Sequence, residues 1–394
     1  MAPIYLPREL IDQIFQGLDK PSLASCSTIC RNYHPSARHF LFRTITLVEP
    51  DDDIHNEPRY VGFCQFLTWT SSISSSLSAN IRELNLYFVE EKSKLDEVLI
   101  DTVMLEQLLS LLPVLRTLRI RMAKWKRSDH LYAPSFPPKN LETLVLDYVL
   151  FDLPRWSWVT EFTNPFDPNA PIECTLVELL NIFGDVETLH FTNALMLDDY
   201  GSFVGWQDAS ALASSVSKIV GQQVSSTLHG SRALDSLCHL ELMDEDVHAT
   251  NSMLEFLGLR LKQLRLLYSE MKVPDRVAKV DLSHCTSLSQ LELQPYFQAL
   301  VDVASRIPRT VKHLTVKLEY NPIHYEPTIW NTLSLDWSAV DCHLSKQESD
   351  FSVTFVFENI RPSPNATNFF EKEFASLKRH LPITHRMGNL VTRS

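Results

Sequence analysis

Apolar residues recur along most of this chain in one figure, apolar-x-x-Leu-x-apolar. It reads Ile81-x-x-Leu84-x-Leu86, Leu115-x-x-Leu118-x-Ile120, Leu141-x-x-Leu144-x-Leu146 and Val186-x-x-Leu189-x-Phe191. It returns as Leu237-x-x-Leu240-x-Leu242, Leu261-x-x-Leu264-x-Leu266, Leu288-x-x-Leu291-x-Leu293 and Val311-x-x-Leu314-x-Val316. The closing Leu-x-apolar step has period two, which predicts a short strand with its leucines on one side. Amphipathic stretches lie between the copies: Val61–Leu77, Leu95–Leu112, Thr175–Phe183, Ala209–Val224, Met253–Leu259 and Phe297–Ile307. A strand–helix–strand succession requires parallel strands with helices behind them. No copy can bury its own apolar side alone, so neighbours must stack. The central leucines are 34, 26, 45, 51, 24, 27 and 23 residues apart, so the longer intervals hold extra material.

The two ends have different patterns. Residues 6–41 predict three short helices. Pro7 suits a first helical position and Glu9 the positive end of the helix dipole. Leu10, Ile11, Ile14, Phe15 and Leu18 share one stripe. Gly17 to Pro21 punctuates; Leu23, Cys26, Cys30 and Tyr33 form the next stripe, with Ile29 beside it. Pro35 opens a third helix through Arg38, Phe40 and Leu41. So small a segment is a weak folder alone, and it has more apolar residues than its own core needs. They pack on the rest of the chain or face a partner. At the other end Phe351–Phe357 alternates and predicts a last strand. Phe369, Phe370, Phe374, Leu377 and Leu381 share the face of a final helix, the two together capping the stack. Residues 383–394 are expected to be frayed.

The opening residues Leu6-Pro7-Arg8-Glu9-Leu10-Ile11, with Ile29-Cys30-Arg31-Asn32-Tyr33 and the close Leu41-Phe42-Arg43-Thr44-Ile45, resemble an F-box, and the large fungal set in particular. An F-box docks substrate receptors onto Skp–cullin ubiquitin ligases. Carried over by position, the resemblance implies that Leu6, Pro7, Glu9, Leu10, Ile14, Leu23, Cys26, Cys30 and Tyr33 bind the Skp adaptor. The family often has Trp where this chain has Tyr33 and Val where it has Ile29; ring and branching are kept. The repeated figure resembles a leucine-rich repeat. The implied fold is α/β: a short all-helical F-box (1–47), an irregular leucine-rich-repeat-like solenoid of parallel strands backed by helices (48–350), and a C-terminal strand and helix cap with a frayed tail (351–394). A plain α/β domain with parallel strands is the alternative. Ordinary leucine-rich repeats place Asn or Cys three residues after the figure. Here those positions are Val89, Ala123, Val149, Ala194, Glu245, Ser269, Tyr296 and Glu319. None makes the usual Asn ladder, so uneven turns, a distorted horseshoe and a bulky insertion around 198–235 are expected.

Composition narrows the chemistry. Of 394 residues, 44% are apolar and 21% charged, a globular profile. The N-terminus has no basic lead and no apolar run, so it does not read as a signal peptide. No stretch is long and apolar enough for a membrane span. The Asn365-Ala366-Thr367 sequon is then a chance match, since glycosylation needs secretion. A net charge of −12 argues against nucleic acid. The basic run Arg119–Arg127 reads as a solvated strand exit rather than a patch. Seven scattered cysteines without CxxC fit reduced thiols in cytosol or nucleus. Cys26, Cys30 and His34 stand four apart on one predicted helix, but zinc needs a fourth ligand. Asp51–Glu57 reads as a solvated acidic loop, because the EF-hand order is missing. With only nine glycines and no phosphate-loop motif, nucleotide chemistry has no support. Ser215-Val216-Ser217-Lys218 matches a bare S-x-x-K and lacks its companion motifs.

No acid, base and nucleophile set stands out, so no enzyme, metal or cofactor is expected, and binding is the default. The residues beside the leucines face the other way and line the expected concave face: Asn85, Arg119, Arg121, Asp147, His190, Glu241, Arg265, Glu292 and Lys317. Their signs alternate, so no charge class of ligand is implied; ordinary exposed polar residues would look the same. The expected function is the substrate-recognition subunit of a Skp–cullin–F-box ligase, with a Skp adaptor, a cullin and a target protein as partners. The alternative is an F-box and repeat interaction protein that acts without ubiquitin transfer.

Overall fold

The computed structural model describes residues 7–48, 59–73, 77–88, 99–125, 137–152, 175–192, 196–197, 232–244, 247–268, 280–294, 303–320, 336–347, 350–359, 375–386 and 390–393. Leu6, the acidic run 51–57, the helix expected over 209–224, the Ser215–Lys218 match, residues 198–231, the sequon and Phe369–Phe374 lie outside them.

Three helices open the described chain: α1 (Arg8–Gln16), α2 (Lys20–Ile29) and α3 (His34–Leu41). Pro7 caps α1 rather than entering it, and its carbonyl accepts the Leu10 and Ile11 N–H groups at 3.1 and 3.2 Å. Asp19 caps α2, accepting from the Ser22 N–H at 2.9 Å. Pro21 follows in the first turn, where a missing N–H costs no bond. An aspartate just ahead of a proline and a serine is a capping signal, and the sequence reading passed over it. Ile11, Phe15, Leu23 and Ala37 form the core of the three helices, with Leu18, Cys26, Tyr33, Phe40 and Leu41 packed against it. Phe15 and Tyr33 meet edge to face at 6.0 Å.

The helices pass directly into sheet. Residues 44–48 form β1 (Thr44–Val48), which pairs in parallel with β2 (Glu83–Tyr87). Lys20 Nζ donates to the Thr44 carbonyl at 3.0 Å, and His39 Nδ1 lies 3.3 Å from Asn80 Oδ1 in the turn before β2. Both contacts tie helix to strand across gaps of 24 and 41 residues.

The chain divides into two compact units, Met1–Val186 with Asn193–Asp199, and Glu187–Thr192 with Tyr200–Ser394. In the first unit the strands run β1, β2, β4 (Thr117–Trp125), β5 (Lys139–Asp152). The short β3 (Leu99–Ile100) pairs with the end of β4, and β7 (Met196–Leu197) with the end of β5. Helices α4 (Arg59–Ile73), α5 (Thr102–Ser110) and α6 (Thr175–Leu180) lie in the expected intervals. Strand β6 (Phe183–Thr192) passes from the first unit into the second. There it is followed by β8 (His239–Asp244), β9 (Gln263–Tyr268), β10 (Gln290–Gln294), β11 (His313–Tyr320), β12 (Ser352–Asn359) and β13 (Leu390–Arg393). Helices α7 (Val247–Leu257), α8 (Trp337–Leu344) and α9 (Pro382–Arg386) belong to this unit. Every pairing described within either unit is parallel.

All eight copies of the repeated figure are strands, and their central leucines stand in register. Leu84 pairs with Leu118 and Leu118 with Leu144 in the first unit. Leu189, Leu240, Leu264, Leu291 and Leu314 follow one another in the second. None of the eight is more than 2% exposed. Two strands continue the ladder without a leucine: Ile45 opposite Leu84, and Val353 opposite Leu314. The alternation of Phe351–Phe357 predicts β12, but β1 falls in the segment 1–47 expected to be all-helical, and its β-branched Thr44, Ile45, Thr46 and Val48 make it strand instead.

Strand lengths are uneven, and the missing Asn ladder shows why. Ala123 and Val149 stand where a turn-forming Asn would, are fully buried and pair with each other. An apolar side chain there keeps the strand going, to Trp125 in β4 and Asp152 in β5. Met122 within β4 has φ at 58°, a left-handed conformation unusual for a residue with a Cβ. Past it the parity of burial switches. Arg119 and Arg121 face solvent, whereas Ala123 and Trp125 on the same alternation are buried.

The C-terminus differs from expectation. β12 is not the last strand, and residues 382–386 and 390–393 are not frayed. The former make α9, and the latter make β13, paired with Val353–Val356 of β12. Residues 383 and 384 are held against α8 by its buried Asp341, 3% exposed. Its carboxylate accepts the Ile383 and Thr384 N–H groups at 2.9 and 2.8 Å and the Thr384 hydroxyl at 2.6 Å. A contact across more than 40 residues leaves no periodic trace in a sequence.

Candidate functional site

The helical segment splits its apolar stripes in two. Ile11 and Phe15 turn into the core, but Leu10 and Ile14 on the same helix are 45% and 53% exposed. Ile29, at the end of α2, is 73% exposed. Large apolar side chains in so short a segment normally pack inward, and three that do not leave apolar surface for something else. Pro7 and Glu9 are also exposed. The remaining residues expected to touch an adaptor are placed differently. Leu23 is 3% exposed and belongs to the core, so it supports the surface rather than forming it. Cys26 and Tyr33 are half-buried against that core, and Cys30 is half-buried where α2 ends. The sequence reading set Ile29 beside its stripe and missed its exposure. Helical spacing sets Ile29 off the face shared by Leu23 and Cys26, and it is the last residue of α2.

The second candidate is the face of the strands opposite the leucines. In the second unit, His190, Glu241, Arg265 and Glu292 are register neighbours on four successive strands. They are joined in a chain. His190 Nδ1 lies 2.9 Å from Glu241 Oε2, which also accepts from Arg265 Nη1 at 2.9 Å. Arg265 Nε sits 2.7 Å from Glu292 Oε1, an ion pair without hydrogen-bond alignment. Lys317 Nζ reaches the same oxygen at 3.1 Å. Burial works to raise the Glu241 carboxyl pKa. The His190 hydrogen bond and the charges of His190 and Arg265 outweigh it and hold the carboxyl below its ordinary value.

The first unit repeats the device on a smaller scale. Arg119 Nε pairs with Glu83 Oε1 at 3.2 Å, and Arg121 Nε with Asp147 Oδ2 at 3.0 Å. The Arg121 guanidinium also lies over the Tyr87 ring, 5.7 Å from its centre. Asn85 is largely buried between the strands and donates to Thr46 Oγ1 at 3.2 Å. The alternating signs in the sequence therefore have a local cause. Parallel strands bring each charge beside its opposite, and all eight predicted charged positions pair with a strand neighbour. Within the basic run, Arg119 and Arg121 pair with Glu83 and Asp147.

Among the described residues no group of three His, Cys, Asp or Glu side chains is placed to hold a metal, so Cys26, Cys30 and His34 do not form one. The six described cysteines are free thiols. No described helix is long and apolar enough to cross a membrane. No protein-family model matches the chain, and no curated protein matches it.

Proposed function

We propose that the chain is the substrate-recognition subunit of a Skp–cullin–F-box ubiquitin ligase, its helical segment docking the Skp adaptor and its strand repeats binding a target protein. The observation that carries the reading is the division of one helix stripe, with Ile11 and Phe15 inside and Leu10 and Ile14 outside. That division is what a docking helix needs: one apolar face for its own core and one for a partner. The chain resembles an F-box at these same residues, from Leu6-Pro7 to Tyr33. The subunit performs no bond chemistry in this account. It raises the local concentration of target lysines at the ligase.

Co-purification of the Skp adaptor and a cullin tests the reading, using the intact chain and a Leu10→Ser, Ile14→Ser variant. The expected result is capture by the intact chain and loss in the variant, with the variant's thermal unfolding unchanged. Absence of capture by the intact chain overturns it. Capture of the adaptor with no ubiquitin transfer to any bound protein would favour an interaction subunit that works without the transfer step.

A further inference from the structure

We infer that residues 375–386 and β13 form a strap that closes the outer edge of β12, that Asp341 is its latch, and that opening it lets β12 pair with a second copy of this chain. The argument begins with β12. Phe351–Phe357 reads FSVTFVF, seven residues without a charge, a proline or a glycine. Runs of that kind pair with other chains when their edge is open. On one side β12 pairs with β11 over eight residues, from His313 opposite Ser352 to Tyr320 opposite Asn359. On the other side its cover is β13, which pairs over four, from Leu390 opposite Val353 to Arg393 opposite Val356. The edge therefore depends on a short strand that arrives late in the chain.

What holds that strand is concentrated on α8. The buried Asp341 carboxylate takes three donors, and all three come from Ile383 and Thr384. Trp337, one turn earlier on α8, stacks its ring on His380 at 5.4 Å. Leu377 and Leu381 are fully buried beside these contacts. Thr384 is fully buried, so its hydroxyl and the Asp341 carboxylate have no water to replace each other with. Removing the carboxylate strands three donors at once, the condition under which a lost hydrogen bond is most costly. Segments held by few contacts open locally, without global unfolding.

Amide hydrogen exchange on the full-length protein, with Asp341→Ala and, separately, Leu381→Ala, tests this. The expected result for both variants is at least tenfold faster exchange in β13 and in residues 353–356, with β9 and β10 unchanged. Self-association that grows with concentration should accompany it, and a synthetic peptide of the unaltered residues 375–393 should reverse it in Leu381→Ala but not in Asp341→Ala, which lacks the latch. Unchanged exchange in β13 would show that Asp341 is not the latch. Equal acceleration in β9 and β10 would make it an ordinary core residue. Faster exchange at 353–356 in a variant that stays monomeric would show that the strap does not guard against pairing.

Discussion

The N-terminal helices and the strand repeats spend their apolar residues in opposite ways. In the repeats nearly every leucine of the figure is buried, and the eight at its centre are at most 2% exposed. In the helices Leu10, Ile14 and Ile29 stand 45–73% exposed while Ile11, Phe15 and Leu23 hold the core. The same contrast applies to charge. The strands pair their charges with strand neighbours, as in the chain from His190 to Lys317, and so consume them internally. The lesson is that patterning alone does not reveal purpose. A leucine in the repeats is buried in the fold, whereas Leu10 and Ile14 carry the same pattern and stand about half exposed.

The sharpest break of this comparison is Leu264→Ala against Ile14→Ala. Leu264 is fully buried between Leu240 and Leu291 on neighbouring strands. Its truncation should cost about 2–5 kcal/mol, the range for a core leucine that leaves a cavity. Ile14→Ala should cost less than about 1 kcal/mol, because its side chain is more than half exposed. Chemical denaturation of both variants measures the difference, and similar losses would erase the distinction.

Charge gives the next test. Arg265 holds two half-buried carboxylates, and the Glu241 and Glu292 side chains are 12% and 20% exposed. Arg265→Ala should destabilise by about 1–3 kcal/mol, between the values for exposed and for buried pairs. Arg116→Ala breaks the pair with Glu142, both side chains 52% exposed, and should stay within about 0.5 kcal/mol. Denaturation midpoints compare the two, and an Arg265 loss no larger than that of Arg116 would contradict the account.

Acid adds a smaller effect of defined sign. The native Glu241 carboxyl titrates below its ordinary value, despite burial, because of His190 and Arg265. A carboxyl depressed in the folded state contributes stability that is complete above its unfolded pKa, about 4.3. That contribution is lost as pH falls through the native value. Glu241→Gln should therefore narrow the gap to the intact chain below pH 4 and widen it at pH 6–7. A constant gap across that range would assign the loss to packing instead.

The smallest effect is on reactivity rather than stability. Burial, and secondarily the Asp281 charge, push the Cys285 thiol up to about 12, while Cys342 is exposed. Thiolate is the reactive form, so alkylation of the native protein, read by mass spectrometry, should mark Cys342 well before Cys285.

The repeats were legible because strand parity is local: one leucine in the right place fixes which side of the strand is buried. The positions of α4, α5 and α6 were legible from the apolar stretches between the copies, whereas α7 starts at Val247, ahead of the expected Met253–Leu259. What stayed hidden depends on contacts distant in sequence. Asp341 meets Ile383 and Thr384 from more than 40 residues away, so the C-terminal segment read as frayed. Each residue of the charged face is legible by strand parity, but its pairing follows from register, which the sequence leaves open until the strands are aligned. For the helices, the sequence named the α1 stripe and could not divide it, because the buried Ile11 and Phe15 share one period with the exposed Leu10 and Ile14; the second stripe ran past the end of α2, where Cys30 is extended and Tyr33 caps α3.

Hydrogen exchange on the purified chain, with and without purified Skp adaptor, decides whether the exposed side of α1 and α2 docks. The account predicts a stable complex, with slowed exchange confined to residues 8–33 and no change in β9 and β10. Failure to bind, or protection that appears on the strands and leaves α1 and α2 untouched, would contradict it.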